Sequence, residues 1–159
     1  MQEIRLSTLI YAPRERVFDL ARSIDAHQVS ATGMEERAVA GITTGLIGLN
    51  DEVTWEARHF GLTQRLTVRV TELVRPIHFQ DVMVAGAFKM MVHDHDFLEE
   101  PDGTLMTDCF KFASPFGILG RAVDSLFLAG YMRRFIVRRN AVLKTLAESE
   151  EWRNYLGTP

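Results

Sequence analysis

Residues 89–98 of the chain read KMMVHDHDFL, so two histidines alternate with two aspartates inside a segment typical of a β-strand. Successive side chains of a strand point to opposite faces, so His93 and His95 share one face while Asp94 and Asp96 share the other. An imidazole can serve as a general base, a zinc ligand or a hydrogen-bonding group for a bound molecule. The chemistry open to this segment therefore depends on which face of the sheet is buried.

Two other strand-like segments indicate which face that is. Residues 77–86 and 104–113 each carry one face that is largely apolar but holds a single aspartate. These faces consist of Ile77, Phe79, Asp81, Met83 and Ala85 in the first segment and of Met106, Asp108, Phe110 and Phe112 in the second. Apolar side chains are the ones that proteins bury, so we expect both faces to point inward.

The connection at Gly86-Ala87-Phe88 predicts how the first of these segments pairs with the histidine segment. A hairpin centred near Ala87 places Asp81 opposite His93, and residues paired in this way have Cβ atoms about 5 Å apart. The expected pairs are Asp81 with His93, Phe79 with His95, and Met83 with Met91. This hairpin therefore places the histidines on the inward face.

The Asp102-Gly103 dipeptide is a strong signal for a two-residue hairpin loop before residues 104–113. The pairs expected across it are His95 with Phe110 and Phe97 with Asp108, which makes His95 and Asp108 diagonal neighbours. Both hairpins predict a polar patch inside an apolar ring, with Asp94 and Asp96 facing solvent. The patch is Asp81, His93, His95 and Asp108, and the ring is Phe79, Met83, Met91, Phe97, Phe110 and Phe112.

The polar patch admits four interpretations, which the sequence leaves open. It can be a buried network whose members satisfy one another's hydrogen bonds. It can hold the polar end of an otherwise apolar ligand, because ligand pockets are mostly apolar with a few placed polar groups. A His–Asp pair can act as a general base in a cyclisation or dehydration, and two histidines with a carboxylate can bind zinc. The H-x-H spacing alone is a weak metal signal and the chain has no cofactor motif, so we expect neither a metal nor a cofactor.

The segments around this patch predict an α+β protein. An opening strand and two short helices precede six strands, and a long helix follows them. The expected strands are 2–11, 35–40, 50–58, 62–73, 77–86, 89–99 and 104–113; one short helix follows Pro13, a second occupies about 25–31, and the long helix runs from Ser114-Pro115 to about Glu148. The short connections between successive strands favour an antiparallel meander.

A sheet with one apolar face must cover that face, and the long C-terminal helix is the only predicted element large enough to do so. We expect a curved antiparallel sheet of about seven strands wrapped around this helix, with a cavity between them. Besides the patch and its ring, the side chains expected to contact a ligand are Trp55, Phe127, Tyr131 and Phe135. The glycine-containing loop 41–48 is expected at the cavity mouth.

Several other polar side chains are expected at the surface. The long helix carries a basic cluster that is typical of a solvated helix face, with a lipid headgroup or a protein partner as the alternative. This cluster is Arg133, Arg134, Arg138 and Arg139. The remaining histidines, His27, His59 and His78, form no recognisable group and are expected at the surface as well.

Composition narrows the class of protein. The chain has 159 residues, 47% of them hydrophobic and 25% charged, which is typical of one globular domain, here residues 1–159. A net charge of −3 gives no reason to expect a nucleic acid partner. The single cysteine suits a reducing compartment. No apolar run reaches about 18 residues, so we expect a cytoplasmic protein that does not insert stably into membranes. The oligomeric state is left open.

Three segments together resemble a known superfamily. They are LIYAPRERVFDL near the N-terminus, GAFKMMVHDHDFLEEPDGTLMTDCFKF around the patch, and ASPFGILGRAVDSLF before the last helix. They resemble the START-like superfamily, also called SRPBCC, whose helix-grip fold occurs in START lipid-transfer domains, the birch-pollen allergen family and polyketide aromatase/cyclases. The likeness is to its bacterial ligand-binding branch, which usually has Pro where this chain has Ala87.

The resemblance implies that the cavity binds a small hydrophobic or amphipathic molecule, such as a lipid. An alternative that it leaves open is a cyclase- or dehydratase-type enzyme, in which the candidate catalytic residues are His93, His95, Asp81 and Asp108. A further alternative is a protein-interaction module that binds no ligand. A fold of this kind hosts many activities, so the residues of the site must decide among them.

Overall fold

The structure is a computed structural model, and it describes residues 1–31, 36–59, 61–113 and 127–157. The described strands are β1 Gln2–Ile10, β2 Arg37–Gly41, β3 Glu52–His59, β4 Leu62–Val74, β5 His78–Ala85, β6 Met90–Glu100 and β7 Gly103–Ala113. The described α-helices are α1 Arg14–Ala21, α2 Ile24–Ser30, α3 Ala129–Glu148 and α4 Arg153–Leu156. The seven strands form one antiparallel sheet in the order β1-β7-β6-β5-β4-β3-β2. The predicted α+β helix-grip architecture is confirmed.

Local sequence signals account for the first turns. Pro13 takes the N-cap position of α1 with a φ of −58°, a value that its ring imposes. The side chain of Ser23 caps α2, because its oxygen accepts a hydrogen bond from the backbone N–H of Ala26. These two helices follow β1 in the chain, and α1 packs against β6 and β7 while α2 packs against β2. The predicted start of the long helix at Ser114-Pro115 lies outside the described residues.

The long helix α3 crosses the inner face of the sheet and packs against β1, α1 and α2. Its buried residues recur at helical spacing and are Ile136, Arg139, Asn140, Leu143, Leu146 and Ala147. The C-terminal half of this stripe packs with Phe18, Phe97 and Met106 in one apolar cluster. Ile136 belongs to a second apolar cluster with Trp55 and Phe112, farther along the sheet.

The first predicted hairpin register is confirmed at the histidines. Asp81 pairs with His93 and Phe79 pairs with His95 between β5 and β6. The paired residues run from His78–Asp96 to Val82–Val92, so the expected Met83–Met91 pair lies beyond the last of them.

The second predicted register is wrong by two residues. Glu100 pairs with Gly103, so the loop is Pro101-Asp102 and Gly103 already belongs to β7. A Cβ on Gly103 would overlap the carbonyl oxygen of Ile10, so the position needs glycine for close packing against β1. The observed pairs are His95 with Asp108, Phe97 with Met106, and His93 with Phe110. A shift of two residues keeps every side chain on its predicted face, and it brings His95 directly opposite Asp108.

The outward face of β6 carries the two other aspartates, as expected. Asp94 accepts hydrogen bonds from Gln80 (2.7 Å) and Lys111 (3.4 Å) on the flanking strands. Asp96 lies 2.8 Å from Nδ1 of His78. Within the part of the chain that the structure describes, no helix is long and apolar enough to cross a membrane.

Candidate functional site

The inner face of β5, β6 and β7 holds a buried polar network formed by the predicted patch. Asp108 is 0% exposed, His95 is 2% exposed and His93 is 5% exposed. Their strands place them side by side, because paired residues on one face of a sheet lie within contact distance. Groups buried this deeply need hydrogen-bond partners, and the network supplies them.

Asp108 is the centre of this network. Its Oδ1 accepts from Nε2 of His93 at 2.9 Å and lies 3.0 Å from Nδ1 of His95. Its Oδ2 accepts from the side-chain amide of Asn140 at 2.6 Å. Nη2 of Arg139 approaches Oδ1 at 3.4 Å and lies 3.5 Å from Nδ1 of His95. Burial alone would raise the pKa of Asp108, but the hydrogen bonds from His93 and His95 and the positive charges of His95 and Arg139 hold that pKa well below its usual range.

His95 lies between two carboxylates. Its Nδ1 faces Asp108 and its Nε2 lies 3.1 Å from Oδ1 of Asp81. Carboxylates only accept hydrogen bonds, so this geometry is satisfied when both ring nitrogens carry hydrogen, that is, in the imidazolium. Burial lowers the pKa of His95, but its hydrogen bonds with Asp108 and Asp81 outweigh burial and raise that pKa overall.

His93 is in the opposite protonation state. Burial and the neighbouring positive charge of His95 lower the pKa of His93 to about 4, and its hydrogen bond to Asp108 offsets them only in part. Near neutral pH His93 is therefore a neutral imidazole that donates its Nε2–H to Asp108. Burial opposes ionisation of Asp81, yet its hydrogen bond from His95 keeps the pKa of Asp81 below the ordinary value.

Aromatic rings fix the orientation of both imidazoles. Phe79 stacks on His95 with ring centroids 4.2 Å apart, and Phe110 meets His93 edge-on with centroids 5.1 Å apart. The two imidazole rings are themselves 3.9 Å apart. Such packing restricts the side-chain rotamers and holds the polar groups in one geometry.

A cavity of about 290 Å³ lies between the sheet and α3, and the network forms one end of it. Most of its wall is apolar or aromatic. The network contributes Asp81, His93, His95 and Arg139 to the wall, and the other polar lining residues are Arg22, Ser23, His27, Glu36, Gln64 and Arg65. Of the side chains predicted from sequence to contact a ligand, the wall contains Trp55, Phe79, Asp81, Met91, His93, His95, Phe110, Tyr131 and Phe135. The expected cavity between sheet and helix is therefore present.

Four of the side chains predicted to contact a ligand do not line the cavity. Asp108 lies behind the histidines, and Phe97 packs in the apolar cluster with Phe18, so neither is among the lining residues. Met83 packs against the second apolar cluster, which contains Trp55 and Phe112, but it is not among the lining residues either. Phe127 is 64% exposed and does not line the cavity either.

Sequence reasoning missed Arg139 and Asn140 as members of the site. Arg139 was expected on a solvated face with Arg138, but it is buried, whereas Arg133, Arg134 and Arg138 are exposed. The signal was available, because residues 139 and 140 fall between Ile136 and Leu143 on one face of a helix. A polar pair within an apolar stripe points to polar partners inside the fold.

His27 was expected at the surface and instead lines the cavity. Its ring stacks on Trp55 with centroids 4.1 Å apart, and its Nε2 lies 3.2 Å from Oε2 of Glu36. The predicted loop at the mouth is tied to this region, because Ile24 donates to the carbonyl of Gly45 at 2.9 Å. His78 is partly buried against Asp96, and the side chain of His59 lies outside what the structure describes.

Asp81, His93 and His95 each offer one donor atom within 4.8 Å of the others, so we tested the group as a metal site. The fit is poor, since both ring nitrogens of His95 already face carboxylates. A divalent cation would also lie near the guanidinium of Arg139, which is 3.5 Å from His95. Like charges in a buried site repel strongly, so the arrangement favours a hydrogen-bonded network over a metal centre.

No protein-family model matches the chain, and no curated protein matches it. Several solved structures, in contrast, are similar to it. TTHA0849 from Thermus thermophilus has a TM-score of 0.74 at 20% identity, over 91% of this chain and 95% of that one. CV1439 from Chromobacterium violaceum has a TM-score of 0.71 at 15% identity, over 93% and 98% of the two chains. Major latex-like protein 151 from Panax ginseng has a TM-score of 0.69 at 11% identity, over 93% and 98%. At these identities the likeness shows the fold alone, which is the helix-grip fold.

Proposed function

We propose that the chain binds a small hydrophobic or amphipathic molecule in the cavity between the sheet and α3. The observation that carries the proposal is the internal space of about 290 Å³ with mostly apolar walls, into which the buried polar network faces. Protein interiors are normally packed without voids of this size, so a retained cavity requires an explanation. Ligand sites have this combination of apolar wall and a few placed polar groups. The resemblance to the ligand-binding branch of the START-like superfamily supports the same function.

Native mass spectrometry of the purified chain, compared with its denatured mass, tests for a co-purified ligand. A fluorescent probe tests the cavity directly, and N-phenylnaphthylamine is suitable because it is apolar, uncharged and brighter in apolar surroundings. We expect saturable binding of this probe. If the probe does not bind and the native mass does not exceed the denatured mass, the proposal is contradicted.

A matched pair of variants locates the probe. Val68 is 4% exposed and lines the cavity, whereas Val74 on the same strand is 55% exposed and does not. Val68→Phe should weaken probe binding by about tenfold or more, since the added ring takes up part of the cavity. Val74→Phe should leave binding unchanged. Equal affinity of the two variants would place the probe outside the cavity.

A second candidate function is proton-transfer catalysis of the cyclase or dehydratase type. The observation that favours it is a pair of histidines in the wall of the cavity, of which His93 is hydrogen-bonded to Asp108 at 2.9 Å and His95 lies between Asp81 and Asp108. Neighbouring groups in opposite protonation states are typical of acid–base sites. Once a ligand is identified, incubation with the protein should convert it to a product that has lost water or closed a ring. His93→Gln should abolish that conversion. Recovery of unchanged ligand after incubation with the native protein would contradict catalysis and leave binding as the function.

A further inference from the structure

We propose that the ligand carries an uncharged hydroxyl group, an alcohol or a phenol, at the end that meets Asp81, His93, His95 and Arg139. This inference rests on the proposed binding function and names the chemical class of its ligand. It follows from the charge balance of the buried network and from the donors and acceptors that the network presents to the cavity.

The network is electrically balanced. Asp81 and Asp108 supply two negative charges. Arg139 supplies one positive charge, and His95 supplies the other because both of its ring nitrogens face carboxylates at 3.0 and 3.1 Å. His93 hydrogen-bonds to Asp108 through one nitrogen and adds no charge in its neutral form.

A charged ligand group would disturb this balance. A carboxylate on the ligand would be drawn to Arg139, whose positive charge is already balanced by Asp108 at 3.4 Å. An ammonium group would be drawn to Asp81, whose negative charge is already balanced by His95 at 3.1 Å. Either ion would leave water to lie beside four buried charges, Asp81, Asp108, His95 and Arg139, that already balance one another, and such transfers are unfavourable. The cavity end therefore disfavours both anions and cations.

The same end presents an acceptor and donors side by side. Asp81 is the acceptor, with its side chain 17% exposed, and a carboxylate has capacity beyond the single bond from His95. Arg139 is the donor that faces the cavity, and its guanidinium carries five N–H groups in a fixed fork. A hydroxyl donates one hydrogen bond and accepts others, so it can satisfy both side chains at once. A ketone or an ether only accepts, and a hydrocarbon does neither.

The remainder of the cavity sets the size of the ligand. At the packing density of protein interiors, 290 Å³ accommodates on the order of fifteen non-hydrogen atoms. Trp55, Phe88 and Phe110 supply aromatic walls for it. A fused two-ring aromatic molecule with one hydroxyl group is a suitable minimal probe, because close analogues differ from it only in the polar group.

Competition against bound N-phenylnaphthylamine at neutral pH tests the proposal. The competitors are naphthol, naphthoate, naphthylmethylammonium and naphthalene, which share the ring system and differ in charge and hydrogen bonding. We expect naphthol to displace the probe at concentrations about tenfold or more below those of the two ions. We also expect naphthol to be more effective than naphthalene.

Two variants show that the charge balance is the cause. Asp81→Asn removes one negative charge with little change in shape, so the advantage of naphthol over naphthoate should shrink or reverse. Asp96→Asn removes a carboxylate from the outward face of the neighbouring strand and should leave the ranking unchanged. Retained probe binding shows that each variant is folded.

The outcomes separate the two proposals. If the probe binds and naphthoate or naphthylmethylammonium displaces it as well as naphthol does, the hydroxyl inference is wrong and the binding function stands. Displacement by none of the four compounds would also overturn the inference, because a hydroxyl then contributes nothing. Failure of the probe itself to bind would overturn the binding function and the inference with it.

Discussion

At the scale of single residues, the site depends on how one buried carboxylate is surrounded. Asp108 is 0% exposed and is contacted by His93, His95, Arg139 and Asn140. A buried charge is tolerated when its partners are present and becomes costly when one side of the pair is removed. The network is therefore sensitive to substitution at its centre and tolerant of changes outside it.

The first prediction concerns this central residue. Asp108→Asn should destabilise the fold by about 3 kcal/mol or more, because Arg139 and His95 lose the charge that compensates for their burial. Asp96→Asn on the exposed face of the adjacent strand is the control and should change stability by less than about 0.5 kcal/mol. Urea unfolding followed by circular dichroism measures both. Equal stability of the two variants would contradict a central role for Asp108 in the network.

The second prediction concerns the acid limb of stability. His93 has an ordinary pKa of 6.5 in the unfolded chain and of about 4 in the folded one, so between these values the unfolded state binds an additional proton. Stability therefore falls as the pH is lowered through this window, by up to about 1.4 kcal/mol per pH unit. His95 has a raised pKa, so its contribution is complete at low pH and is lost only as the pH rises above its ordinary value.

His93→Gln separates these effects, because glutamine keeps an N–H donor for Asp108 but does not titrate. The variant should show a flatter dependence of unfolding free energy on pH between 6.5 and about 4. Urea unfolding at a series of pH values measures the slope. A slope identical to that of the native chain would mean that His93 is not the titrating group.

At the scale of secondary-structure elements, the sequence predicted faces better than it predicted contacts. The seven strands lie within two residues of their expected bounds, because alternation and turn residues mark them locally. The register error across Pro101-Asp102 is also two residues, so the inner face of β7 was correct although its pairs were not. The true register depends on the close packing of Gly103 against β1, which is distant in sequence.

For the long helix α3, in contrast, the sequence did not predict which face of the helix carries Arg139. An apolar stripe through Phe127, Tyr131 and Phe135 was expected on the long helix, and Arg139 was expected on a solvated face because it was grouped with Arg133, Arg134 and Arg138. The buried stripe instead includes Ile136 and Leu143, which turns Arg139 inward. Tertiary partners on β6 and β7 stabilise that orientation, and no local signal in the helix names them.

The third prediction tests the phase of this helix with adjacent arginines. Arg139→Ala should destabilise the fold by about 2 kcal/mol or more, since it leaves Asp108 with less compensation and removes a buried side chain. Arg138→Ala lies on the exposed face and should cost less than about 0.5 kcal/mol. Urea unfolding of the two variants measures both changes in stability. A larger loss of stability in Arg138→Ala than in Arg139→Ala would mean that Arg139 is not the arginine of the network.

At the scale of the whole molecule, the fold leaves space between a curved sheet and the helix that covers it. The two apolar clusters differ in this respect, since one joins α1 to the end of α3 and the other surrounds the cavity. A sequence pattern can identify both as inward-facing, but it does not distinguish a filled core from a hollow one. A sheet curved around a long helix suggested the cavity, and the fold resemblance supported it, whereas the volume of the cavity and the presence of His27 in its wall are seen only in the folded structure.

The fourth prediction follows from this hollow core, because a cavity kept for a ligand lowers the stability of the free protein. Val68→Phe adds apolar volume inside the cavity, and cavity-filling substitutions commonly raise stability by about 0.5–2 kcal/mol. The same variant that weakens probe binding should therefore unfold at a higher urea concentration than the native chain, while Val74→Phe should not. A loss of stability in Val68→Phe would indicate that the space is too tightly bounded to accept a ring. Stabilisation together with loss of probe binding would show that the molecule sacrifices packing at this site for room to bind.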